Sequence, residues 1–226
     1  MSRLVARYEP GCPGLFVNPD WIEGTPGTFA VVIGVSDYPF LDGGNRQEAG
    51  TDTFGLGQLH VSAATAHRFF GWFAERYGFP AAPPARCWLL LSPTGQELAT
   101  FGVGLVEDFG AAQATLDNCE LALAWWNETM RRLPKSAADR SRGLFFFSGH
   151  GLEVWQDRQI LLPSDYLAPP GRAVNDAIST ANLRKGLASS PVPNQFLTGR
   201  RRRSGRRRGG QPGPGQGGRP GRGDGV

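Results

Sequence analysis

The sequence predicts an α/β protein built on a mostly parallel sheet, and three observations carry that prediction. The runs Phe29–Val35 (FAVVIGV), Cys87–Leu91 (CWLLL) and Leu144–Ser148 (LFFFS) are apolar throughout rather than alternating. Strands of that kind are buried on both faces, as in sheets covered by helices above and below. Amphipathic helical stretches separate these runs, and a helical crossover between strands makes them parallel. Hydrophobic residues make up 40% of the chain and aromatic residues 11%, enough to fill a core.

The elements follow in order. Residues 1–28, rich in Gly and Pro, read as an irregular lead-in. Phe29–Val35 is the first strand, and 36–57 reads as a long loop. From Leu59 to Tyr77 the apolar residues Leu59, Ala63, Ala66, Phe70 and Phe73 recur at spacings of three and four, one face of a helix. Gly78 is a plausible stop for it. Cys87–Leu91 is the second strand and 92–110 again reads as loop. Thr115–Leu133 predicts a second helix, with Leu116, Leu123, Trp126 and Met130 on one face, a cap at Thr115 or Asp117, and Pro134 just beyond its end. Leu144–Ser148 is the third strand and Ile160–Leu162 a short apolar piece. Thr180–Leu187 predicts a short helix. Asn194–Leu197 opens a fourth strand, after which the sheet is truncated.

Beyond that point the composition changes. Nine arginines and one aspartate fall between Gly199 and Val226, a charge of +8, so the first 198 residues carry −4 of the net +4. The high isoelectric point therefore belongs to the tail. Residues 199–226 hold no apolar side chain before Val226 and are expected to be disordered, because they cannot bury area to offset ordering entropy. One reading of this tail is a frame-shifted end. The other is a basic segment contacting nucleic-acid phosphates, although it lacks the aromatic residues that stack on bases.

No apolar run approaches the ~18 residues of a membrane helix, and the N-terminus has no secretory pattern. The expected location is cytoplasmic, with no membrane partner. Cys12, Cys87 and Cys119 form neither a disulfide framework nor a metal knuckle, so no metal and no cofactor are implied. The Gly-x-Ser-x-Gly elbow is absent, and no phosphate-binding glycine loop stands at a strand-to-helix turn.

The chemistry concentrates in residues 144–167, LFFFSGHGLEVWQDRQILLPSDYL. A buried strand runs into Ser148-Gly149-His150-Gly151, and sites in open α/β sheets form at the carboxyl ends of strands. A histidine there can take a proton near neutral pH, and the Gly151 N–H can donate to an oxyanion. The glycines let backbone approach closely. The same pattern also fits a histidine that merely occupies a turn.

Residues 29–197 resemble the large-subunit part of the caspase, metacaspase and paracaspase superfamily. The matching pieces are FAVVIGVSDY, LHVSAATAHRFFGWFAERYG, CWLLLSPTG, ATLDNCELALAWW, LFFFSGHG and ILLPSDY. The resemblance implies a three-layer caspase-haemoglobinase-like fold and a cysteine-type endopeptidase acting on protein or peptide substrates through an acyl-enzyme. It implies His150 as general base, Gly151 as oxyanion donor and Ser148 as a substrate-binding residue at the pocket rim. Asp37, Asp157 and Asp165 are candidate substrate-binding carboxylates, and each also fits a solvated loop position or a turn cap.

Two departures stand against it. The family pattern Phe-Leu-Asp-Ala/Gly-Cys-Arg is here Phe196-Leu197-Thr198-Gly199-Arg200-Arg201, so an arginine occupies the nucleophile position. Its guanidinium is protonated at any usable pH and is no nucleophile. The acidic residue of the metacaspase-type first helix is replaced by Thr65, which removes the charge that would pair with a basic P1 side chain. This chain is therefore expected to be inactive, or else a non-catalytic module of the same fold.

Overall fold

The computed structural model describes residues 4–101, 111–155, 158–169 and 177–202. In chain order the elements are β1 (Val5–Ala6), β2 (Leu15–Val17), β3 (Thr28–Val35), α1 (Ser62–Glu75), β4 (Pro84–Ser92), α2 (Gly95–Phe101) and α3 (Leu116–Arg131). They continue with α4 (Lys135–Ala138), β5 (Arg142–Trp155), β6 (Arg158–Leu161), β7 (Ile178–Ser179), α5 (Thr180–Ala188) and β8 (Asn194–Arg202).

The centre of the sheet is the parallel group β4-β3-β5-β8, which contains the four predicted strands, all mutually parallel. The whole sheet, however, is mixed. β2 pairs antiparallel with β4, and β6 pairs antiparallel with the end of β5. The expectation of a mostly parallel sheet is corrected to that extent. Antiparallel neighbours need no crossover helix, so pieces of two to four residues join the sheet through pairing alone, which periodicity does not reveal. Residues 1–28 are accordingly not all irregular: Leu15 and Phe16 are buried against β4.

The strands are apolar throughout because they feed two cores. Val31, Ile33, Trp88, Leu90, Phe145 and Phe147 face α3, where Cys119, Trp126 and Met130 pack. Ala30, Val32, Cys87, Leu89 and Leu91 face α1, against Ala63, Ala66, Phe70 and Phe73. α1 comes close to β3 at Gly34, where an added Cβ would lie 2.5 Å from Ala66 Cβ and 2.9 Å from Ala63 Cα. Only a residue without a side chain lets α1 sit this low on β3.

Helix ends follow local chemistry. Thr115 caps α3 by accepting from the Asn118 N–H at 3.4 Å, one of the two predicted caps. α1 begins at Ser62, three residues later than its apolar pattern. Leu59 packs with the opposite core. Its first N–H groups are satisfied from outside the helix. Ser36 Oγ accepts from Ser62 and Ala63 at 2.9 Å each, and Glu97 Oε1 accepts from Ala64 at 3.1 Å. Within the segment read as loop, 95–101 is helical. A reciprocal capping box explains this: the Glu97 N–H donates to Thr94 Oγ1 and the Thr94 N–H donates to Glu97 Oε2.

β5 and β8 both run beyond their predicted ends. β8 spans nine residues rather than four, reaching Arg202. The remaining tail lies outside the described residues. Among the described residues, no helix is long and apolar enough to cross a membrane.

Candidate functional site

β5 does not stop at Ser148. It continues without a turn through Gly149, His150 and Gly151 to Trp155, which corrects the expectation of a strand ending in a glycine turn. Its neighbour changes instead. Pairing with β3 ends at Gly34–Ser148, and pairing with β6 starts at Gly151–Leu161. His150 sits in the interval, at the carboxyl end of β3.

The backbone there is held by a side chain. The His150 N–H donates to Tyr38 Oη at 2.8 Å, and Tyr38 Oη donates to the Leu162 carbonyl at 3.3 Å. The Leu162 N–H returns a bond to the His150 carbonyl at 3.0 Å. The two rings lie 4.9 Å apart and are tilted by 47°. Gly149 makes room for this, since a Cβ there would meet Tyr38 Oη and Phe147 Cζ, each at 2.8 Å. Its φ is not in the left-handed region, so space rather than backbone freedom selects the glycine.

The imidazole is 5% exposed. Its Nε2 lies 2.7 Å from the Gly57 carbonyl. A carbonyl only accepts, so Nε2 carries the proton and the lone pair of the neutral ring is on Nδ1. Successive residues of an extended strand turn their N–H groups to opposite edges. His150 turns its own toward Tyr38, so Gly151 turns its N–H toward the β8 edge. On that edge Arg202 stands opposite His150, and Arg200 stands opposite Ser148.

The other predicted residues divide. Asp37 and Asp165 come together in a cleft of about 600 Å³ at the carboxyl ends of β3 and β4, with Arg46, Ser92, Gln113 and Ser164 also in its wall. Burial pushes the Asp37 carboxyl above its ordinary range. Asp165 Oδ1 accepts from the Leu116 N–H at 2.8 Å, at the start of α3. Ser148 lies elsewhere: it is 2% exposed, between Gly34 and Arg200 in the sheet. Thr65 bonds back to the Val61 carbonyl. Asp157 lies outside the described residues.

All three thiols are free and buried. Desolvation raises Cys12, raises Cys87 well above the ordinary thiol value and raises Cys119 strongly. Cys12 also accepts from the Trp88 indole N–H at 3.1 Å. Sequence reasoning did not find Tyr38 and Gly57 as partners of the histidine. Their separations of 112 residues for Tyr38 and 93 for Gly57 leave no local signal. Among the described residues, no group of three or more His, Cys, Asp or Glu side chains is placed to hold a metal ion. A scan against models of known protein families finds no match, and a search of curated proteins finds none either.

Proposed function

We propose that this is a caspase-like peptidase domain that keeps the general-base half of a cysteine dyad, His150, and has lost the thiol half. The observation that carries the reading is the oriented imidazole. Its Nε2 is held by the Gly57 carbonyl, so Nδ1 is the basic atom, on a residue of β5 that pairs with β8, the strand bearing residue 200. In an enzyme of this type the thiol at that position gives its proton to Nδ1. The thiolate then attacks a peptide carbonyl, and a backbone N–H such as that of Gly151 receives the negative charge that develops on oxygen. Arg200 does none of this, and the three buried thiols are held protonated. The chain itself therefore does not hydrolyse peptides.

The cleft holding Asp37 and Asp165 favours a second reading, a module that binds peptides carrying basic side chains without cutting them. Incubating a mixed peptide library with the purified chain, followed by mass spectrometry, tests the main reading. The expected result is no cleavage by the chain, cleavage by its Arg200→Cys variant, and none when His150→Ala is added. Cleavage by the unmodified chain, or by Arg200→Cys regardless of His150, overturns it. Binding of a lysine- or arginine-containing peptide that weakens in Asp37→Asn supports the second reading.

A further inference from the structure

The chain leaves the sheet after Val35 and enters α1 at Ser62, and the two ends of this excursion are tied together at a neck. The Tyr38 N–H donates to Gln58 Oε1 at 2.9 Å, and Gln58 Nε2 donates to the Tyr38 carbonyl at 2.6 Å. The same neck is closed by the Leu59 N–H on the Ser36 carbonyl at 2.9 Å and by the Asp42 N–H on the Leu56 carbonyl at 3.0 Å. Two of the groups that hold His150 come from this neck, one from each side of it. The Tyr38 hydroxyl takes the backbone N–H, and the Gly57 carbonyl, one residue before Gln58, takes Nε2.

We infer that Gln58 and Tyr38 are positioning residues whose joint task is to fix the tautomer and ring orientation of His150. A carboxamide is the side chain suited to the clamp. It offers one acceptor and one donor in a single plane, matching the N–H and C=O of one residue. Glutamate supplies only the acceptor half, and leucine supplies neither. The hydroxyl of Tyr38 is needed because the His150 N–H lies beyond the last β3–β5 pair and has no strand neighbour there. One oxygen accepts that N–H and donates to Leu162, tying β5 to the segment after β6. The importance of this for proton transfer rests on reading His150 as a general base. The positioning itself does not.

The test uses the full chain labelled with ¹⁵N in its histidines. Long-range ¹H–¹⁵N correlations report which ring nitrogen carries the proton and how fast that proton exchanges. The native chain should show His150 protonated on Nε2 with a slowly exchanging proton. Gln58→Leu should speed that exchange at least tenfold and mix the tautomers, and Gln58→Glu should fall between the two. Tyr38→Phe keeps the ring packing, so if Gln58→Leu does not fold it decides the matter on the same signal. A purely structural role would lower the urea midpoint and leave the ring proton as protected as before. That outcome in both Gln58→Leu and Tyr38→Phe, or a native proton on Nδ1, overturns the inference. Failure of the peptidase reading would appear in the Arg200→Cys experiment and leave this signal unchanged.

Discussion

Gly149→Ala probes the packing that delivers the histidine. The new methyl carbon would stand 2.8 Å from Tyr38 Oη, 2.8 Å from Phe147 Cζ and 3.0 Å from Phe147 Cε1. Carbon contacts prefer roughly 3.5–4.0 Å, so each pair must part by about half an ångström or more. Neither ring has room to move, since Tyr38 is 0% and Phe147 2% exposed. Overpacking of this kind costs about 1–3 kcal/mol. If Tyr38 yields, the His150 N–H loses its 2.8 Å acceptor inside the core, and an unmet buried donor adds about 1–3 kcal/mol. The expected total of about 2–6 kcal/mol is a large part of the ~5–15 kcal/mol that holds a domain together. Gly71→Ala is the control: it lies in α1 with nothing within 4 Å of the new methyl, and should stabilise by up to about 1 kcal/mol. Urea unfolding followed by tryptophan fluorescence measures both. A Gly149→Ala loss below about 0.5 kcal/mol, or one no different from Gly71→Ala, refutes the steric reasoning.

Other expectations rest on separate contacts. Glu97→Ala removes the acceptor of the Ala64 N–H, the Ser36 hydroxyl and the Thr94 N–H together; a loss of about 2–3 kcal/mol in urea unfolding is expected, and no loss would mean that water caps α1 equally well. Burial raises the Asp37 carboxyl above its ordinary value of 3.8, so its folded form prefers the proton. The associated stability is present below pH ~4 and lost as pH rises through the folded value. Asp37→Asn should therefore gain stability relative to the native chain between pH 3 and pH 6, and a difference independent of pH would contradict that sign. The three buried thiols should not react with a disulfide reagent in the folded chain and should all react in urea. Rapid reaction of Cys87 or Cys119 without denaturant would contradict their burial.

The parts of the fold legible in the sequence were those with one dominant local cause. β3, β4 and β5 announce themselves because both faces of each strand are covered, which makes the run apolar at every position. α3 was readable from its period and from Thr115. β2, β6 and β7 were not, because two to four residues carry no period and exist only through their pairing partners. α2 was missed although Thr94 and Glu97 stand at capping-box spacing, a signal overshadowed by the surrounding Gly and Pro. Within the site, His150 was found from its glycine flanks. The reason for Gly149 lay instead in the Tyr38 hydroxyl, which no periodicity places beside it. Asp37 and Asp165 share a cleft because α3 and the segment after β6 return to the same end of the sheet, a property of topology and not of spacing.

The central claim is that the imidazole of His150 stands ready to take a proton from a side chain at position 200. The most direct measurement is the pH dependence of iodoacetamide alkylation in the Arg200→Cys chain, compared with the same chain carrying His150→Ala. The account predicts a reactive thiol with a midpoint below the ordinary value of about 8.5, and a rate at pH 6.5 at least tenfold lower once His150 is removed. Equal rates and equal midpoints in the two chains would contradict it.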